Sequence, residues 1–277
     1  MYNYRSISDG ANMNQHQNFL NSVIQRLGIG RPGKKSLNPE NLISLCNQLV
    51  SKNGEATLFS LAKSILEDFD SLSDEQKKTF FIELLKQFSV DRPSLKTALK
   101  DLDYSDEGQL RKLHKLIEPK SQELFRRLNQ APNGTSSLLK MRESLLKCIK
   151  DSPELKSLDF DFVHLFKSWF NRGFLRLERI DWSTSANILE KIMEYEAVHD
   201  ISDWQDLQNR VAASDRRLYA FFHPALPDEP LIFIEVALMN DAPDSIMPIL
   251  DLSVVPIDPN SANTAVFYSI SNCQMAL

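Results

Sequence analysis

Few side chains in this sequence are placed to do chemistry unaided. His223, in FFHPALPDEP at 221–230, ends a strand-like run beside a loop, where an imidazole could exchange protons near neutral pH. No serine or acid stands by it at nucleophile spacing, so its expected role is to satisfy local backbone groups. His199, in EYEAVHDI at 194–201, reads as a packing or capping residue. Glu194 and Glu196 are two residues apart, so on a helix they face different ways and cannot work as a matched acid and base. Cys46, Cys148 and Cys273 are too scattered for a disulfide framework or a zinc site. Cys273 has no histidine paired with it and is expected to be a buried strand-end thiol. No metal site is expected.

Two further groups invite a ligand. Arg126–Arg127 and Arg216–Arg217 are basic pairs that could meet a phosphate, but salt bridges or a subunit interface are the expected use. Trp169, Phe170, Phe174 and Trp182, with Arg172 among them, are expected to form an interdomain core rather than a platform for bases. Lys77–Lys78 reads as a solvated helix face. A formal charge of −5 and a pI near 5.6 argue against nucleic acid or an anionic membrane held by bulk electrostatics. No apolar run approaches the roughly 20 residues that cross a bilayer. The start, MYNYRSISDGANMNQHQNF, lacks a secretory pattern, and with unpaired cysteines it points to the cytoplasm.

The elements that must position these residues fall into two kinds. Only 8 glycines occur in 277 residues, and the chain to about residue 170 is rich in Leu, Lys, Glu and Ser with helical spacing. Leu42, Leu45, Cys46 and Leu49, then Leu58, Leu61, Ile65 and Phe69, each form an apolar stripe. Ser73 and Gln76 have capping-box spacing ahead of Phe80, Phe81, Leu84, Leu85 and Phe88. Pro93, Pro119, Pro132 and Pro153 separate later helices, giving an all-α bundle of about eight. Residues 14–27 suit a helix, and GIGRPGKK after them a turn or link.

After about Asp181 the pattern changes. Ser183–Tyr195 and Trp204–Val211 are expected helices, the second with Ser202 and Gln205 as a capping box. Leu218–His223 and Leu231–Leu238 are expected strands joined by the turn Pro224–Pro230, and Thr264–Ser271 is a third.

Several long segments resemble malonyl-CoA decarboxylases: HLFKSWFNRGFLRLERIDW at 164–182, EKIMEYEAVHDI at 190–201, FFHPALPDEPLIFIEVAL at 221–238 and TAVFYSISNCQ at 264–274. LCNQLVSKNGEATLFSLAKSIL at 45–66 and FRRLNQAPNGTSSLLKMRESLL at 125–146 resemble that family's helical domain. The resemblance implies an α+β chain. An extension of residues 1–36 precedes a helical self-association domain at 37–174, and residues 175–277 form part of an acetyltransferase-like (GNAT-like) α/β catalytic domain. It also implies a lyase that turns malonyl-CoA into acetyl-CoA and carbon dioxide without metal or organic cofactor, working as a homo-oligomer.

The family's malonyl-contacting serine and proton-donating histidine match no position up to Leu277, so no catalytic residue is assigned here. Gln274 and Leu277 match the start of the family's CoA loop and are the expected substrate-binding positions. Ala276 stands where that loop has glycine, which would restrict left-handed backbone angles and the approach of a phosphate. The chain is therefore expected to lack CoA binding and activity. A non-catalytic oligomerisation or regulatory partner of a full-length decarboxylase is the alternative. Ending at Leu277, the strand 264–271 is expected to present an apolar edge of Val266, Phe267, Tyr268 and Ile270.

Overall fold

A computed structural model of the protein describes residues 38–51 and 55–277. The expected extension of residues 1–36, with its helix at 14–27 and the link after it, lies outside the described residues.

Eight α-helices run through residues 39–169 among those described. Asn38 Oδ1 accepts from Asn41 N at 2.8 Å to start α1 (Pro39–Ser51). It is followed by α2 (Glu55–Asp70) and α3 (Asp74–Phe88). The Ser73 capping box is present: Gln76 N donates to Ser73 Oγ at 3.3 Å, and Ser73 N donates to Gln76 Oε1 at 3.0 Å. The predicted stripes turn inward. Leu42, Cys46, Leu49, Ile65 and Phe69 are buried, and the rings of Phe69, Phe80 and Phe81 meet with centroids 5.3–5.7 Å apart.

Next come α4 (Arg92–Lys100) and α5 (Glu107–Ile117), capped by Asp91 and Asp106. Neither buries a single residue; they pack on each other as a helical hairpin. Then α6 (Lys120–Leu128), α7 (Gly134–Ile149) and α8 (Lys156–Trp169) complete the core, where Phe125 stacks on Phe162 at 4.0 Å. Buried Asp161 on α8 accepts from Ser121 Oγ at 2.6 Å and Gln122 Nε2 at 3.0 Å, so α6 and α8 are joined by a satisfied polar contact.

The second part is a sheet. β1 (Arg176–Ile180) precedes α9 (Ala186–Tyr195) and α10 (Trp204–Ala212). β2 (Arg216–His223), β3 (Leu226–Met239), the short α11 (Met247–Leu250) and β4 (Thr264–Asn272) follow. The four strands are antiparallel and lie in sequence order. β1 is absent from the sequence expectation because RLERI is mostly charged and four of its five residues are exposed, as suits an edge strand.

Three other expectations shift. The turn is only Pro224–Ala225. Leu226–Pro230 already belongs to β3, its prolines tolerated where the register slips between Phe221, Phe222 and His223. Ser183 and Thr184 are held by hydrogen bonds with Asp181, so α9 starts at Ala186. The cap of α10 is Asp203 rather than Ser202. Its Oδ1 accepts from Gln205 N and Asp206 N at 2.9 Å each, and a carboxylate suits a helix N-terminus better than a hydroxyl.

On β2, Arg216, Leu218, Ala220 and Phe222 alternate inward. Leu189, Ile192, Leu207 and Val211 of α9 and α10 complete that inner layer. The opposite face is covered only in part among the described residues: Val236 is buried and Tyr219, Phe221 and Ile234 are half-buried, while Leu177 and Ile232 are exposed. Leu177 pairs with Phe221 and Phe221 with Ile232, while Ile234 pairs with Ile270 on the edge strand β4. Phe267 and Ile270 are 65% and 62% exposed, as expected for that edge, but Val266 and Tyr268 are half-buried.

The two parts share a core. Leu226, Leu231 and Ala276 are buried among the helical residues, and Trp169, Phe170 and Leu175 pack against them.

The α6–α7 corner depends on a missing side chain. A Cβ on Gly134 would stand 2.6 Å from the Leu128 carbonyl oxygen and 2.8 Å from that of Asn129, both backbone atoms. Gly134→Ala is expected to destabilise the chain by about 1–3 kcal/mol, read as a lower urea midpoint with unchanged slope.

Candidate functional site

The turn at Gln274–Leu277, where the CoA loop was expected to begin, is built from three directions. Gln274 N donates to Asn272 Oδ1 at 3.0 Å, and Leu277 N donates to the Gln274 carbonyl at 3.2 Å. From the sheet, Glu229 Oε1 accepts from Gln274 Nε2 at 3.2 Å and from the Tyr195 hydroxyl at 2.7 Å. Lys191 Nζ reaches Glu229 Oε2 at 2.5 Å. Burial, then the hydrogen bond and charge of Glu229, push the Tyr195 phenol up, which keeps its proton in place as a donor.

From the helical part, Arg142 on α7 donates to the Ala276 carbonyl and, at 2.7 Å, to Asp159 Oδ1. The chain thus leaves the sheet and is gripped by the bundle. Gln274 is buried with its amide committed to Glu229, while Leu277 is 43% exposed. Ala276 is fully buried. Among the described residues the non-glycine at positive φ is Asn133, so Ala276 sits at no left-handed angle. Its methyl packs into the helical core.

His223 does what its sequence position suggests. Ala225 N donates to Nδ1 at 3.1 Å, which leaves the proton on Nε2 to be donated to the Trp169 carbonyl at 3.1 Å. The ring rests on Phe170 at 4.9 Å, so one neutral imidazole ties the hairpin end to the end of α8. Burial lowers its pKa, against the opposing pull of the Trp169 carbonyl.

The expected aromatic cluster divides. Trp169 and Phe170 join this junction, but Phe174 is 59% exposed and Trp182 instead meets Trp204 edge-on at 6.1 Å. Arg172 is exposed. Among the basic pairs, Arg126 bridges Glu118, and Arg127 bridges Glu123 at 2.6 Å and reaches the Leu49 carbonyl at 2.6 Å. Arg216 is a buried partner of Asp215 at 2.9 Å, and Arg217 bonds backbone carbonyls. Cys273 is a buried thiol pushed up to about 12 by burial and by Glu229 and Glu196.

A buried acidic cluster beneath the sheet was not foreseen. Glu196, just past α9, accepts from Val198 N and His199 N at 2.8 Å each, from Ser269 Oγ at 3.0 Å and from Ser271 Oγ at 3.1 Å. Glu194 is exposed, so the two carboxylates do face apart. His199 contributes its backbone here, while its ring lies 6.4 Å from that of Tyr268. Arg210 on α10 bonds Asp206 at 2.9 Å and Glu235 at 3.2 Å, along with the carbonyls of His199 and Asp200. The readable signal was Ser269 and Ser271, two hydroxyls on one face of a strand.

Among the described residues, no histidine ring is hydrogen-bonded to a serine hydroxyl, and no helix is long and apolar enough to cross a membrane. What fold and site define is a two-part α+β protein: a helical bundle gripping the turn that leaves a helix-backed antiparallel sheet. Models of the malonyl-CoA decarboxylase N-terminal and C-terminal domains match residues 88–170 and 173–277. The chain belongs to the malonyl-CoA decarboxylase family.

The solved malonyl-CoA decarboxylase of Rhodopseudomonas palustris is 51% identical, with a TM-score of 0.83 over 87% of this chain and 59% of its own. That of Agrobacterium vitis is 46% identical, with a TM-score of 0.82 over 86% and 58%. The mitochondrial malonyl-CoA decarboxylase of Anser anser anser is 37% identical over 58% of this chain and 33% of the relative. For that of Mus musculus the figures are 32%, 60% and 35%. The chain thus spans about a third of the curated relatives it matches and under two thirds of the solved ones.

Since the folded state holds His223 below its ordinary 6.5, its contribution to stability is present above that pH and is lost as pH falls through the folded value. His223→Gln, which keeps a donor and never charges, is expected to flatten the drop in thermal midpoint that wild type shows between pH 7 and pH 5. Equal drops in both would exclude His223 as the acid-sensitive tie.

Proposed function

We propose that the chain works in the conversion of malonyl-CoA to acetyl-CoA and carbon dioxide. It supplies the helical domain, residues 37–174, and the opening strands of the catalytic domain, residues 175–277. The reading rests on one observation above all: bundle and sheet together superpose on a solved family member at 51% identity. Loss of carbon dioxide leaves a thioester enolate, which needs donors for its oxygen and a proton for its carbon. For the serine and histidine that the family resemblance assigns to these tasks, no position within residues 1–277 is proposed.

The turn from Gln274 carries the approach to the CoA phosphates, and the residues here act by placing it: Glu229 from the sheet and Arg142 from the bundle. Action in the cytoplasm accords with the free thiols Cys46, Cys148 and Cys273. Residues 1–277 are expected to release no carbon dioxide from malonyl-CoA and to show no saturable CoA binding by calorimetry, with the Rhodopseudomonas relative as the positive control. Micromolar CoA binding by residues 1–277 would overturn this expectation.

One observation favours a second role, self-association or joining a full-length decarboxylase. The hairpin α4–α5 buries none of its residues in the protomer, yet carries Leu99, 52% exposed, and Ile117, 51% exposed. Light scattering on a sizing column is expected to show an oligomer, and Leu99→Asp with Ile117→Asp to shift it to monomer. A monomeric wild type that does not mix with the Rhodopseudomonas relative would remove this role.

A further inference from the structure

Glu235 is the buried acid with the least support. It projects from β3 toward the helix-backed side and is fully buried, with Oε2 3.2 Å from Arg210 Nη1 and Oε1 without a hydrogen-bond partner. The charged and titratable groups around it come from every neighbouring element. They are Arg210 and Asp206 from α10, and Glu196, His199 and Asp200 from the connection between α9 and α10. Tyr268 comes from β4 and Arg216 from the start of β2.

Arg210 divides its donors among Asp206, at 2.9 and 3.2 Å, and the carbonyls of His199 and Asp200, at 2.8 and 3.0 Å. One contact is left for Glu235. Arg216 bonds Asp215 and the Ile249 carbonyl, each at 2.9 Å, and its buried Nε, which meets no acceptor, does not reach Glu235. Glu196 has four donors of its own, and Asp206 has Arg210 and Ser202 N. Two carboxylates, Asp206 and Glu235, therefore share one guanidinium, and because Asp206 takes two of its contacts the shortage falls on Glu235.

We propose that Glu235 is a proton-operated latch: protonated, it lets the connection at 196–203 stay closed on β3 and β4, and ionised, it adds a charge that Arg210 cannot offset and the connection opens. Burial raises the Glu235 pKa to about 7, with Glu196 adding to the rise and Arg210 and, more weakly, the Tyr268 hydroxyl opposing it. Because the folded value lies above the ordinary 4.5, closure is fully favoured below that value and is lost as pH rises through about 7. The Tyr268 phenol, pushed up by burial and by Glu235, stays neutral throughout. The latch does not depend on decarboxylase activity.

Amide hydrogen exchange at Ala197, Val198 and His199, corrected for intrinsic rates, tests it. Wild type is expected to lose protection roughly ten-fold or more between pH 6 and pH 8. Glu235→Gln, which mimics the protonated acid, should keep equal protection at both. An equal loss in Glu235→Gln would overturn the proposal. Should that variant fail to fold, carbon-13 NMR of labelled glutamate carboxyls in wild type decides: a carboxyl titrating near neutral pH supports the latch, and none titrating above pH 6 removes it.

Discussion

The arrangement depends on how a sheet is held against a bundle with which it shares few side chains. Beside the shared apolar core, two polar contacts cross between them: the His223 imidazole on the Trp169 carbonyl, and Arg142 on the Ala276 carbonyl. In each, a side chain from one part meets a backbone oxygen that its own element leaves free. The end of a helix supplies one oxygen and the turn after a strand supplies the other. Separating the parts would give up both hydrogen bonds, each worth about 0.5–1.5 kcal/mol net, and expose Leu226, Leu231 and Ala276 to water.

The helical part was the most legible in the sequence. A spacing of three and four residues needs no tertiary knowledge, and the buried positions of α1 to α3 follow it closely. The Ser73 box was visible for the same reason, being a contact between neighbours. Where two local acceptors competed, as at Ser202 and Asp203, spacing alone chose the weaker one. β1 escaped notice since a charged edge strand carries no alternation of apolar residues, and its pairing with β2 joins residues some forty positions apart.

The candidate site was legible only in part. His223 was recognisable as a residue that bonds backbone, and the turn after β4 was located from family resemblance. Neither Arg142 nor Glu229 drew attention, because nothing in KMRESLL or LPDEPL marks which charge will be buried. The acidic cluster was hidden for a related reason: burial of Glu196, Arg210 and Glu235 depends on three separate elements meeting under one sheet.

The two serines of β4 have a consequence for alignment along the strand. Ser269 and Ser271 face the Glu196 carboxylate, while Phe267 and Ile270 lie toward solvent. Sliding β4 by a single residue would exchange its faces and set Ile270 against a buried carboxylate. Glu196 thus acts as an index pin. It permits one offset of β4 against β3, and with it one starting point for the turn at Gln274.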